Sequence, residues 1–265
     1  MTQLNNATVL ITGAAGGFGL SLTRQLLAKG SQLILTDHPS ADLSSKLKAL
    51  EAEVDTSNVL ACFDIDIADM DGCEALYAAV QKLNVLPDVL INNAGIALLG
   101  NMVDLPDDRW ETMLQVNLMT PMRLSKRFGI DMMARGQGHI VNISSLAGWI
   151  AMPGLTAYAS SKYGLRGFSE GLRRELAPNN VRVTTVYPFF SRTPLLNGPK
   201  LGHFAESDNT LPKSMTTDPN QIMAMTIRAI ERNQDELFPD KFALVGHWVK
   251  RYTPFLLSLL NRSKV

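Results

Sequence analysis

The chain has 265 residues, 46% hydrophobic and 19% charged, with 25 basic and 25 acidic residues and a pI of about 6.9. That balance suits a globular core and gives no electrostatic footprint for nucleic acid. Cys62 and Cys73 make no disulfide framework and have no metal-ligand spacing, and neither a secretion signal nor a run of ~18 apolar residues is present, so a soluble, cytoplasmic, metal-free protein is expected.

In chain order, 8–12 reads as a short β-branched strand, followed at once by Gly13-Ala14-Ala15-Gly16-Gly17-Phe18-Gly19 and an amphipathic helix over 20–29 that stops at Gly30. Glycines let a backbone approach a pyrophosphate, and a helix N-terminus offers it unpaired N–H groups. The spacing GxxxGxG modifies the usual dinucleotide fingerprint, and a tight turn is the plainer alternative. A second strand over 32–36 ends in Asp37, placed to accept hydrogen bonds from an adenine-ribose hydroxyl and to repel a 2′-phosphate. No Lys or Arg in the glycine loop offsets that repulsion, so NAD is favoured over NADP; a turn residue ahead of Pro39 is the alternative, and His38 complicates the choice. A helix over 41–54, a strand over 59–63 ending in Asp64, and a helix over 73–83 follow. Asp64 and Asp66 suit the adenine amino group and local capping equally. A strand over 88–91 then runs into Asn92-Asn93-Ala94-Gly95, small residues that suit a close cofactor or a sharp strand exit.

The second half continues the alternation. A long helix over 107–133 carries Asn117 in its middle, where asparagine has poor helix propensity. A strand over 138–144 delivers Ser144 and Ser145 to its C-terminal end, the edge at which open parallel sheets bind ligands. In the helix over 156–176, Tyr158 and Lys162 share a face one turn apart. A cation beside a phenol lowers its pKa from ~10 by about 1–3 pH units, towards general-base chemistry near neutrality. A strand over 181–187 ends at Pro188, and a helix over 223–232 and a last strand over 242–245 complete the pattern. It predicts one α/β domain: a doubly wound, mostly parallel sheet of seven strands flanked by helices.

TGAAGGFG, Asp37, NNAG, Asn117, the NISS strand and YASSK stand in the order and spacing of the short-chain dehydrogenase/reductases, and the chain resembles that family over residues 6–195. The resemblance implies hydride transfer between NAD(P) and an alcohol or ketone by Asn117, Ser145, Tyr158 and Lys162. Tyr158 would be the general base or acid and Ser145, rather than Ser144, would orient the substrate oxygen. Lys162 would lower the Tyr158 pKa and bond the nicotinamide ribose, and Asn117 would hold a relay water. The cofactor residues it implies are Gly13, Ala15, Gly17, Phe18, Gly19, Asp37, Asp64, Ile65, Asn93, Ala94, Gly95, Tyr158, Lys162, Pro188, Ser191 and Thr193. A homodimer or homotetramer built on the helices that begin at Asp107 and Thr156 is implied as well.

The chain departs from the family after the sixth strand, where Pro188-Phe189-Phe190-Ser191-Arg192-Thr193 replaces Pro-Gly; the aromatic pair suits an apolar substrate wall. Residues 188–217 resemble the variable substrate-covering loop, with a plain surface loop as the alternative. The tail 247–265 carries Trp248, Tyr252, Phe255, Leu256, Leu257, Leu259 and Leu260 among Lys250, Arg251, Arg262 and Lys264, with Pro254 interrupting any long helix. It reads as a helix at the substrate mouth or a subunit interface, as a peripheral membrane contact, or as core. The expected function is NAD-dependent oxidation or reduction of a lipophilic secondary alcohol or ketone, tilted towards oxidation. The alternatives are a non-enzymatic NAD-binding sensor or scaffold, and an epimerase or dehydratase that keeps its hydride.

Overall fold

The structure is a computed structural model that describes residues 1–205, 212–253 and 255. Seven strands, β1 (Thr8–Thr12), β2 (Gln32–Asp37), β3 (Val59–Asp64), β4 (Val89–Asn92), β5 (Gly138–Ile143), β6 (Val181–Val186) and β7 (Glu236–Leu237), pair in the parallel order 3-2-1-4-5-6-7. The helices are α1 (Gly17–Leu27), α2 (Leu43–Leu50), α3 (Met70–Gln81), α4 (Asp107–Leu114), α5 (Thr120–Arg135), α6 (Thr156–Leu176), α7 (Pro219–Glu231) and α8 (Lys241–Tyr252).

Strand alternation splits the core between two layers. Val9 and Ile11 face Leu22 and Leu26 of α1 and Met223, Ile227 and Ile230 of α7. Leu10, Ile34, Leu90 and Ile140 face the other way, onto α3, α5 and α6 through Leu76, Val80, Leu124, Phe128 and Leu172. Each such side chain contributes roughly 1.5–3 kcal/mol on burial. The pairs Thr12↔Thr36, Asp37↔Asp64, Asn92↔Asn142 and Ile143↔Val186 align the strand ends along one edge. The strand order reverses between β1 and β4, which opens a crevice at that edge.

Three elements differ from the sequence reading. The helix expected over 107–133 is in three parts, because a wider π turn, Gln115–Met119, separates α4 from α5. Pro121 has no N–H to give the Asn117 carbonyl, and the Thr120 N–H bonds to Gln115 O instead. The helix expected over 41–54 is shortened to α2 by the left-handed Asp42 (φ 52°), whose carboxylate caps Ser45 N–H. The strand expected over 242–245 is the start of α8: Asp240 accepts from Ala243 N–H at 2.8 Å and begins a helix, while β7 lies earlier in the chain. A four-residue apolar run has no period long enough to separate these outcomes.

Candidate active site

Each strand end at the crevice carries one part of the site. After β1, Gly13 takes φ +66°, and a Cβ there would stand 2.7 Å from Ala94 Cα, so only glycine lets β1 and β4 exit side by side. Asn93 holds the same junction by donating to Thr12 O (3.0 Å) and Gly13 O (2.9 Å), and Thr12 Oγ1 accepts from Ala94 N–H. A Cβ on Gly19 would meet Gly13 O at 2.2 Å, so α1 can start only this close to the loop with glycine there. No side chain caps α1, whose first-turn N–H groups open at the loop. Phe18, partly buried, packs against the α1–α7 core layer.

At the end of β2, Asp37 accepts from Ala15 N–H at 2.7 Å and from its neighbour His38 N–H at 2.7 Å. Asp64 is exposed and Ile65 donates its N–H to Asp37 O (3.0 Å) while packing against the second core layer. The capping alternative falls to Asp66, which accepts from Ala68 N–H, and to Asp69, which caps α3. One residue outside the expected set, Lys46, also reaches this end of the crevice. Lys46 Nζ donates to Ala15 O at 3.2 Å, and Asp66 stands 3.7 Å from His38 Nε2. Lys46 sits in a polar helix with no local signature, so only the packing of α2 against β2 and the loop shows it.

The chemical end is built by β5 and α6. Ser144 is buried and structural, its hydroxyl donating to Lys162 O. Ser145 Oγ accepts from Ala147 N–H, leans on Pro188 O at 3.5 Å and hydrogen-bonds the Tyr158 hydroxyl. Lys162 is buried with Nζ 5.7 Å from the Tyr158 ring centroid, donating to Ile143 O at 3.0 Å. Burial pushes the Tyr158 hydroxyl up to about 12, with the Ser145 bond opposing it, and pushes Lys162 down to about 8. Desolvation is the leading influence on the Tyr158 hydroxyl, and the neighbouring Lys162 ammonium is held by the Ile143 carbonyl.

Asn117 is fully buried in the π turn. Its Oδ1 accepts from Ile96 N–H and its Nδ2 donates to Ile96 O, both at 2.9 Å, and to Ser161 Oγ at 3.2 Å. It thereby fixes the chain just after Gly95, where a Cβ would stand 3.3 Å from Asn117 Oδ1 and 3.7 Å from Lys162 Nζ. Gly95 thus lies beside both Asn117 and Lys162. After β6, Ser191 is buried and donates to Thr217 O, and Thr193 lies over the loop, 2.8 Å from where a Gly17 Cβ would be. These residues fit a dinucleotide laid from Asp37 across the glycine loop to Lys162.

The family model described as short chain dehydrogenase matches residues 7–200. This chain belongs to the short-chain dehydrogenase/reductase family. The dehydrogenase/reductase is 30% identical over 259 residues to a Drosophila melanogaster dehydrogenase/reductase SDR family protein, covering 96% of this chain and 79% of that one. It is 31% identical over 186 residues to an NAD-dependent glycerol dehydrogenase of Listeria innocua, covering 70% and 71%. A short-chain dehydrogenase from Sphingobium yanoikuyae, solved with NADPH, superposes with a TM-score of 0.78 at 25% identity over 98% of this chain and 96% of that chain.

In this dehydrogenase/reductase the Phe189 and Phe190 rings meet edge to face with centroids 4.6 Å apart. The Phe189 ring packs on Phe242 of α8 at 5.4 Å, and its N–H donates to Asp240. Tyr158 packs against a buried apolar cluster of Leu98, Leu105, Met113 and Ala157, together with Trp110 and Leu201. Leu201 comes from the expected covering loop, which crosses back by pairing Leu99 with Lys200; its residues 206–211 lie outside the described residues, as do Pro254 and 256–265 of the tail. A groove of about 410 Å³ lined by Gln221, Met225, Phe238, Phe242 and Leu244 lies between α7 and α8 and contains none of the four catalytic candidates.

Proposed function

We propose that this dehydrogenase/reductase interconverts an apolar secondary alcohol and its ketone with NAD, in the cytoplasm. The observation that carries the reading is the Ser145–Tyr158–Lys162 cluster, with Tyr158 packed beside the apolar residues Leu98, Leu105, Met113 and Ala157. In the oxidising direction Ser145 Oγ orients the substrate hydroxyl and Tyr158 Oη takes its proton. Lys162 Nζ stands beside the ring as the cation that favours the phenolate, and is placed for the nicotinamide-ribose hydroxyls. Asn117 sets the open side of Lys162 through which the proton leaves. When bound, the nicotinamide supplies the hydride acceptor. The Asp37 carboxylate supports NAD, since a 2′-phosphate there would meet a negative charge. The exposed free thiol of Cys62 supports a reducing compartment. Subunit contact is assigned to α5 and α6, where exposed Gly167 and Gly171 leave open space for a close helix approach.

The test is NADH fluorescence with purified protein, NAD and a graded panel of secondary alcohols, comparing wild type with Tyr158→Phe. NADH should form with the apolar members, and the variant should lose about 10²–10⁴-fold of the rate while still binding NAD. NAD binding without turnover across the panel would overturn the reading in favour of a sensor or of chemistry that keeps its hydride.

A further inference from the structure

α8 turns an unusual face outward. It docks on the body through buried Ala243 and His247, the latter between Trp149 (4.3 Å) and Phe238 (4.1 Å), and Gly246 lets it approach Leu146 and Ile150. The opposite side carries Leu244, Val245, Trp248 and Tyr252, which fall on one helix stripe and are between 46% and 61% exposed. The Trp248 and Tyr252 rings stack at 5.0 Å, and Phe255 beyond them is 60% exposed. Helices of soluble domains place charge on that side, so a contiguous apolar stripe there marks an interaction surface.

Charge identifies the partner. Residues 241–265 contain five Lys and Arg and no Asp or Glu, although the whole chain is balanced at 25 each, so the rest of it holds five more acids than bases. Lys241, Lys250 and Arg251 are exposed on α8 itself, and the sequence beyond the described residues continues as Leu256-Leu257-Ser258-Leu259-Leu260 before Arg262 and Lys264. A second copy seated on this stripe would bring like charges together without a carboxylate from the same segment to answer them. An anionic lipid surface answers them: lysine and arginine reach the headgroups, Trp248 and Tyr252 sit at the boundary, and Leu244 and Val245 face the acyl layer. No helix among the described residues is long and apolar enough to cross a membrane. We propose that α8, through its exposed Leu244, Val245, Trp248 and Tyr252, holds this dehydrogenase/reductase flat on an anionic bilayer. Phe242 on Phe189, and Gly246 over Leu146, couple that helix to the segments that follow Pro188 and Ser145. The enzyme thus meets lipophilic substrates where they partition.

The test is co-sedimentation of the full chain with vesicles of phosphatidylcholine alone or mixed with phosphatidylglycerol, for wild type and for Val245→Glu/Trp248→Glu. Both substituted side chains are exposed, and equal melting curves would show that the variant is folded. Wild type should partition onto the phosphatidylglycerol vesicles at least ten-fold better than onto phosphatidylcholine, with a blue-shifted tryptophan emission, and the variant should lose at least ten-fold. Absence of vesicle binding, or equal binding by folded variant and wild type, would overturn the proposal. Sedimentation velocity showing that the variant splits a wild-type dimer, with no vesicle binding, would overturn it too and assign the stripe to a second copy.

Discussion

Asp37 is held by two backbone N–H donors, from Ala15 and His38, which fix where its charge sits relative to the glycine loop. A hydrogen bond to a charged group is worth about 1.5–3 kcal/mol, or roughly a 10–100-fold change in binding. Asp37→Ala is expected to lower kcat/KM for NAD by about that factor and to improve the NADP/NAD ratio, because the repulsion of a 2′-phosphate disappears along with the ribose contact. Lys46, donating to Ala15 O at 3.2 Å, should act the other way. Its ammonium is the one cation in contact with the loop among the described residues, so Lys46→Ala should reduce any NADP use more than NAD use. Initial rates with both nucleotides for the two variants check this. Equal losses with NAD and NADP in Asp37→Ala would mean that the carboxylate braces the loop rather than reading the ribose. The carboxylate was legible in the sequence because it ends a strand at a fixed distance from the glycines. Lys46 was not, because its position depends on how α2 lies against the sheet.

At the scale of elements, the interruption between α4 and α5 carries the most function. The π turn points the Asn117 amide back at Ile96, where it satisfies both the N–H and the C=O of one residue and bonds Ser161 as well. Asn117→Ala would deprive those part-buried backbone groups and Ser161 Oγ of their asparagine partner. With net losses of about 0.5–1.5 kcal/mol per bond and a desolvation penalty beside them, it should cost roughly 2–4 kcal/mol. Urea unfolding would read that cost, and kcat measured below the melting range would fall with it. Lost kcat at unchanged stability would instead make Asn117 a proton-relay residue alone. The same element shows what a sequence reading can and cannot reach. Poor helix propensity at Asn117 marked the position but not the π turn, so one helix was expected. Tyr158, Lys162 and Ser145 were legible because one helix turn and one strand end determine their meeting. The fate of Phe189 was not, because it depends on α8, itself mistaken for a strand over four apolar residues.

At the scale of the whole molecule, a partly buried network ties the N-terminal segment and the turn before β7 to the sheet. His139 on β5 meets Thr2 Oγ1 at 2.9 Å and Thr184 Oγ1 on β6 at 2.8 Å. Those hydroxyls reach Asn233 and Gln234 in the turn between α7 and β7. Burial, aided by Arg182 and the N-terminal ammonium, lowers the His139 pKa to about 3. In the unfolded chain the same imidazole titrates near 6.5. Between those values the unfolded state binds a proton that the folded state refuses, so stability falls as pH falls from about 6.5 towards 3. The slope has an upper limit of about 1.4 kcal/mol per pH unit. His247, whose pKa burial also lowers, acts in the same direction. Between pH 6.5 and 5 most carboxylates are still ionised, so histidines dominate the slope there. Urea unfolding at pH 7, 6 and 5 should show wild type losing stability across that window. His139→Gln should be less stable at pH 7, having traded a fitted ring for an amide, yet lose less on going to pH 5. An unchanged slope in that variant would mean that His139 opens to solvent and accepts its proton without unfolding the sheet.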